Sequence, residues 1–351
     1  MPTFAVLGSG GWGTAVALIL AQKPGHRVRL WSARETSGRE LREKRENPRQ
    51  LPGVRIPDAV ELVTDPAAAV ADADCWVVAV PTVFLRATVE RFRTLSSPGT
   101  AVVSLTKGIE VATFRRPTEI LADVLGVRRL VVLSGPSHAE EVARGLPTSL
   151  VAAAADAAVA GWVQDHFGGD RFRVYTNTDV VGVELAGALK NVIGVAAGVC
   201  DGLGLGDNAK AAMLTRGLVE MQRFGVAHGA EPATFDGLAG VGDLITTCFS
   251  PHGRNRRVGE RVARGEPVAA VTGGPQVAEG VNTAKAVRER AARTGLDVPI
   301  MTAVYEILHE GKPPAAAVHE LMSRRPQPER RDADESRDRE RAGATRSYDD
   351  R

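Results

Sequence analysis

The sequence predicts an α/β fold: a parallel sheet with crossover helices in the first half, then helices alone. Three observations predict it. Short β-branched apolar runs alternate with helical patterns from Phe4 to Asn177. The first run ends in a glycine-rich turn, Gly8-Ser9-Gly10-Gly11-Trp12-Gly13, which opens a helical pattern. Beyond Asn177 the apolar spacing is helical, with no further convincing strand. The boundary therefore falls near residue 180. Residues 1–180 read as a Rossmann-like dinucleotide-binding domain and 181–323 as an all-helical domain carrying the substrate site. From Arg324 to Arg351 charged residues and proline leave almost nothing apolar, which predicts a disordered tail.

A chain of 351 residues with 44% hydrophobic and 25% charged residues suits two soluble domains, each with its own core. A net charge of +2 gives no argument for nucleic-acid or membrane binding. Apolar runs fall short of a membrane span, and Met1-Pro2-Thr3 leads into a strand and not a signal peptide. Cys75, Cys200 and Cys248 are scattered and odd in number, as in a reducing cytoplasm, and neither they nor the histidines have metal-ligand spacing.

Phe4 to Leu7 is the first strand, and the helix after it runs from Thr14 to Gln22. In the turn between, Gly8 permits the tight bend, Gly10 close approach to a pyrophosphate, and Gly13 helix packing. The helix start then offers N–H groups and dipole to phosphate. A plain glycine turn is the bland alternative. The second strand, Arg27 to Trp31, is followed by Ser32-Ala33-Arg34, where an NAD-selective site carries Asp or Glu on the ribose. A guanidinium there suits a 2′-phosphate or adenine, so NADPH is expected to be accepted. Arg34 as the start of a solvated helix through Lys44 is an equal reading.

The stretch from Asn47 to Pro57 reads as an irregular proline-rich loop. Strand patterns follow at Glu61–Thr64 and Cys75–Val80, then a crossover helix from Val83 to Phe92. The strand Ala101–Leu105 delivers Lys107 and Gly108 to the sheet edge where ligands bind in open α/β sheets. Leu130–Leu133 leads into Gly135-Pro136-Ser137-His138-Ala139. This resembles a hydrolase nucleophile elbow, but Pro136 and Ala139 strain the match. A ligand-facing turn at the start of a short helix fits better. Strands at Thr148–Ala152 and Phe172–Tyr175 complete the set.

The helical half opens with Gly182 to Gly217, apolar on nearly every face of its first part yet carrying Lys190 and Asn191, with Glu184 the only other charge there. A helix apolar all round lies in an interior, and a buried lysine is costly unless it is used. Escape of Lys190 to the surface past small neighbours is the alternative. Asp201 to Asn208 reads as a glycine-dense loop with a capping residue before a helix from Ala209 to Phe224. Gly237 to Leu244 and Gly253-Arg254-Asn255-Arg256 place Asp243, Arg254 and Asn255 among glycines that let backbone approach a ligand.

These segments resemble the bacterial cytoplasmic NAD(P)-dependent glycerol-3-phosphate dehydrogenases. The likeness rests on GSGGWGTA at 8–15, LTKGIE at 105–110, LSGPSHAEEVARGLPT at 133–148, the 182–217 segment, GLAGVGDLITTC at 237–248, GRNR at 253–256 and VAEGVNT at 277–283, in that order. It implies reversible conversion of dihydroxyacetone phosphate to sn-glycerol 3-phosphate for glycerophospholipid synthesis, using NADPH or NADH and no metal, in a homodimer. It also implies Lys190 as catalytic residue, and Lys107, Gly135, Ser137, Asp243, Gly253, Arg254 and Asn255 at the substrate. Gly11, Trp12, Arg34, Lys107, Ala139, Arg254, Val277 and Glu279 match positions at the dinucleotide. Gly253 stands where relatives often have serine, Gln50 where many have an aromatic residue, and Ala33 where many have a basic one.

The chemistry suits the residues independently. A lysine in a dry cleft can stabilise charge developing on a ketone oxygen and donate the proton. Asn191 can orient the substrate, and Arg254 offers a fork to phosphate, with Asn255 beside it. Two alternatives are a dehydrogenase of another small hydroxy acid and a dinucleotide sensor without turnover. The phosphate donors argue against the first and Lys190 against the second.

Overall fold

The computed structural model describes residues 1–274 and 277–326. Eight strands form one sheet: β1 Thr3–Leu7, β2 Arg27–Trp31, β3 Val60–Val63, β4 Cys75–Val78, β5 Ala101–Ser104, β6 Arg129–Ser134, β7 Thr148–Ala153 and β8 Phe172–Asn177. Their order is β8-β7-β6-β5-β4-β1-β2-β3. Neighbours run parallel except β6 and β7, which are antiparallel. Leu7 pairs with both Trp31 and Val78, so the turns after β1, β2 and β4 share one edge.

Strand period two sorts the core. Phe4 and Val6 pack on one face of the sheet, Ala5 and Leu7 on the other. The glycine turn is as tight as expected, since a Cβ at Gly13 would stand 1.9 Å from the Gly8 carbonyl oxygen. Helix α1 begins with it, spanning Gly11–Ala21.

Two loop expectations fail. Within the stretch from Asn47 to Pro57, Leu51–Arg55 pairs antiparallel with Glu46–Asn47. The amide of Asn47 pins this hairpin to the glycine turn, donating to Ser9 O at 2.9 Å and to Thr14 Oγ1 at 3.0 Å. Its local proline content hid a tertiary anchor. The helix expected from Ala209 instead starts at Gly206, with Leu205 before it and no side-chain cap.

Helix α2, Val180–Gly202, is the axis of the second half. Asp179 caps it, accepting from Gly182 N at 2.7 Å. By length and composition it is apolar enough to cross a membrane, contrary to the reading of the runs, yet 89% of that span is buried within the protein. Buried Glu184 is neutralised by Arg116 at 2.6 Å and by the Thr118 N–H and hydroxyl. Around α2 pack α3 Gly206–Val226, α4 Asp243–Phe249, α5 Arg254–Ala263 and α6 Glu279–Thr294. Their core also takes Val132, Val151 and Ala153 from the sheet. Contact of α2 with α5 is backbone on backbone: a Cβ at Gly198 would lie 1.8 Å from Arg256 O, and one at Gly259 2.0 Å from Val195 O. Of the tail expected to be disordered, Arg324 holds Asp297 at 2.9 Å, and residues 327–351 lie outside the described residues.

Candidate active site

The sheet edge and α2 meet where β5 ends. Lys107, just past that strand, donates from Nζ to Gly135 O at 2.8 Å, Ser137 Oγ at 3.2 Å and Asp243 Oδ2 at 2.7 Å. Lys190, in the middle of α2, donates to Thr247 Oγ1 at 2.6 Å and lies 3.1 Å from Asp243 Oδ1. It does not escape to the surface; only 7% of it is exposed. One buried carboxylate thus serves two ammonium groups, leaving the cluster short of negative charge.

Burial alone would raise the Asp243 carboxyl, but the two lysines hold it below the usual range. Lys107 is pulled down to about 8, first by burial and then by the nearby charges of Lys190 and Arg254, with Asp243 opposing. A lysine with that value is still charged at neutral pH and gives up its proton as pH rises through about 8.

Asn191 is held on both sides. Its Nδ2 donates to Lys107 O at 3.1 Å and Gly187 O at 3.2 Å, while Oδ1 accepts from Asn255 Nδ2 at 2.8 Å. Asn255 Oδ1 in turn accepts from Gly280 N at 2.9 Å. Gly253 precedes α5, and its N–H is spent on Ser250 O at 3.1 Å, so it is not a spare donor for a ligand. Arg254 opens α5, exposed, with no hydrogen-bond or carboxylate partner among the described residues. The first N–H groups of a helix also lack intrahelical acceptors, which makes this end suited to an anion.

A second group gathers at the glycine turn. Gly8 and Gly10 frame it, Ser9 Oγ meets Ser32 Oγ at 3.0 Å, and Arg34 lies exposed two residues beyond. A Cβ on Gly11 would stand 2.6 Å from Gln50 O and 3.6 Å from Ala139 Cβ. Glu279 crosses from α6 to the sheet half, accepting from Thr82 N at 2.7 Å. Burial pushes its carboxyl up to about 7, against Thr82 and the charge of Arg254. Trp12 Nε1 and Glu279 Oε2 are buried without a partner among the described residues. Val277 lies two residues before Glu279, half-buried. A glycine cradle at a helix start, with orphaned polar atoms beside it, fits a dinucleotide.

Thr247 and Thr82 were missed from sequence. Thr247 stands four residues after Asp243 on α4, so both face Lys190, a helical spacing that signals a shared partner. Thr82 carries no comparable signal. A cavity of about 530 Å³ lies away from this cleft, between β7, β8 and residues 231–239. Among the described residues no three His, Cys, Asp or Glu side chains gather as a metal site.

Comparison with known proteins shows the family. The family model for the NAD-dependent glycerol-3-phosphate dehydrogenase N-terminus matches residues 3–160, and that for its C-terminus residues 179–319. The chain is 49% identical over 329 residues to the glycerol-3-phosphate dehydrogenase [NAD(P)+] of Chlorobium limicola, covering 93% of this chain and 98% of that one. It is 48% identical over 332 residues to the Streptomyces coelicolor protein of the same name, at 93% and 98% coverage. A crystal structure of glycerol-3-phosphate dehydrogenase from Coxiella burnetii superposes with a TM-score of 0.88 at 37% identity, covering 92% of this chain and 99% of that one.

Proposed function

The chain belongs to the NAD-dependent glycerol-3-phosphate dehydrogenase family, and from that premise we propose how its cleft reduces dihydroxyacetone phosphate to sn-glycerol 3-phosphate. The observation that carries the reading is Asp243 held between Lys107 and Lys190, with unpartnered Arg254 nearby in the same charge field.

The glycine turn, Trp12, Arg34, Ala139, Val277 and Glu279 hold NADPH or NADH. When bound, the reduced nicotinamide supplies the hydride that the C2 carbonyl accepts. The protein's task is the oxygen. Lys190 Nζ stabilises the charge growing there and donates the proton, and in the reverse direction its amine takes that proton back. Thr247 and Asp243 aim it. Lys107 adds positive charge and, through Gly135 and Ser137, shapes the turn against which the substrate rests. Asn191 and Asn255 orient the substrate hydroxyl side, and Arg254 binds the phosphate with its guanidinium fork. Lys107 and Arg254 also border the dinucleotide.

In this reading the sheet half and the helical half, divided near residue 180, are two domains that close on the ligands. The product feeds glycerophospholipid synthesis in the cytoplasm, and the enzyme works as a homodimer; family likeness supports these three points. The test is oxidation of NADPH and of NADH by the full chain with dihydroxyacetone phosphate. Turnover with either supports the reading, and the rate ratio decides what Arg34 contributes. A folded chain that binds dinucleotide but turns over neither would overturn it.

A further inference from the structure

A second basic pocket lies outside the cleft. Its volume is about 340 Å³, near the lower end of the roughly 300–1,000 Å³ seen for ligand sites. One wall is the turn at residues 113–116, which continues from Lys107; the other is α6, through Arg290 and Arg293, with His228 just past α3. Arg115 and Arg116 are already neutralised, the first by Asp123, the second by Glu184 at 2.6 Å and Glu119 at 2.9 Å. Arg290 and Arg293 have no carboxylate partner among the described residues.

Arg290 is aimed. Its Nε donates to His228 Nε2 at 3.0 Å, and its guanidinium carbon sits 5.1 Å from the Phe114 ring centre. Arginine cannot accept a hydrogen bond, so Nε2 carries the lone pair and the ring proton is on Nδ1, donated to Phe224 O at 2.7 Å. His228 is therefore neutral, a state that its burial also favours. Phe114 is held at a φ of 59°, a conformation costly for a bulky residue. Its N–H bonds Glu110 O at 2.8 Å, and Glu110 is anchored by Arg86, whose Nε and Nη2 donate at 2.8 and 2.9 Å. A strained residue and a neutral imidazole thus fix one arginine beside another; Glu119 also lines the pocket, but its carboxylate is spent on Arg116 at 2.9 Å, and no carboxylate among the described residues pairs with Arg290 or Arg293.

We propose that this pocket is a second anion site, taking the phosphate group of a small phosphate monoester. A dianion matches two unpaired guanidinium groups, whose forks suit phosphate oxygens. The space exceeds a bare ion and leaves room for the ester's carbon part. The occupant bridges the turn that follows Lys107 to the helix that starts with Glu279, and so ties together two segments that both reach the cleft.

Thermal unfolding of the full chain at constant ionic strength, with inorganic phosphate as probe, tests this. Arg254→Gln serves as background, to weaken phosphate binding in the cleft. Millimolar phosphate is expected to raise its Tm by about 1–3 °C. The rise is expected to fall by at least half in Arg254→Gln/Arg290→Gln/Arg293→Gln. General stabilisation by an excluded salt acts on both proteins alike and cancels. Should the triple variant fail to fold, Arg254→Gln/Arg293→Gln, which alters only an exposed side chain beyond the background, is expected to show the same reduction. Equal rises in background and variant, or none in the background, would overturn the proposal.

Discussion

Lys107 and Lys190 come from opposite halves of the chain and meet on the two oxygens of Asp243, at 2.7 and 3.1 Å. Two buried ammonium groups on one carboxylate are poor for stability, because desolvation is repaid only in part. The arrangement holds a surplus positive charge where a phosphorylated ketone would place its oxygens. Removing any member changes the charge felt by the other two, and that makes the cluster testable.

The Lys107 ammonium, drawn down to about 8, sets an alkaline limb. Below that value it is charged and supports the developing oxyanion; above it the charge is lost. In the reduction direction kcat/KM, which reports the free enzyme, is expected to fall as pH rises through about 8. Lys107→Met should lower the plateau and abolish this limb. A pH–rate profile of both proteins checks it.

Asp243→Asn removes the one negative charge that faces both lysines among the described residues. The Lys107 limb is then expected to move to lower pH, because the group that opposes its desolvation is gone. A limb that stays in place would remove Asp243 as the electrostatic link, and kcat/KM profiles again supply the measurement.

Arg254→Lys keeps the charge and loses the fork. KM for dihydroxyacetone phosphate should rise by about 10- to 100-fold, the worth of a charged hydrogen bond, with kcat changed less. Steady-state kinetics at saturating dinucleotide separates the two constants.

Burial lifts Glu220 to about 7, from an ordinary value of 4.5, while its oxygens accept from Ile300 N and Met301 N. The folded chain therefore holds an extra proton between those values, a contribution to stability present below 4.5 and lost as pH rises through about 7. Glu220→Gln should remove this part of the pH dependence. Its Tm difference from the parent is expected to shift in the variant's favour between pH 5 and pH 8, as seen by calorimetry.

Much of the sheet was legible, because buried parallel strands such as Cys75–Val78 are continuous apolar runs that stop within a few residues of a Gly or Pro. The candidate site was legible where a residue breaks a local rule: Lys190 in an apolar helix, or Asp243 and Arg254 among glycines. The hairpin after Glu46 was not, since Asn47 owes its place to contacts with Ser9 and Thr14 far away in sequence. Neither was the role of Gly198 and Gly259. Nothing local shows that two helices touch there through bare backbone, although that contact helps to bring Asn255 to Asn191.

The most direct test of Lys190 as proton donor is dihydroxyacetone phosphate-dependent NADPH oxidation by the parent chain and by Lys190→Ala, matched for fold by circular dichroism and for dinucleotide binding by fluorescence. The variant is expected to lose about 10²- to 10⁴-fold in kcat, the usual weight of a general acid. Near-parental turnover from a folded Lys190→Ala protein would contradict it and pass the proton to Lys107.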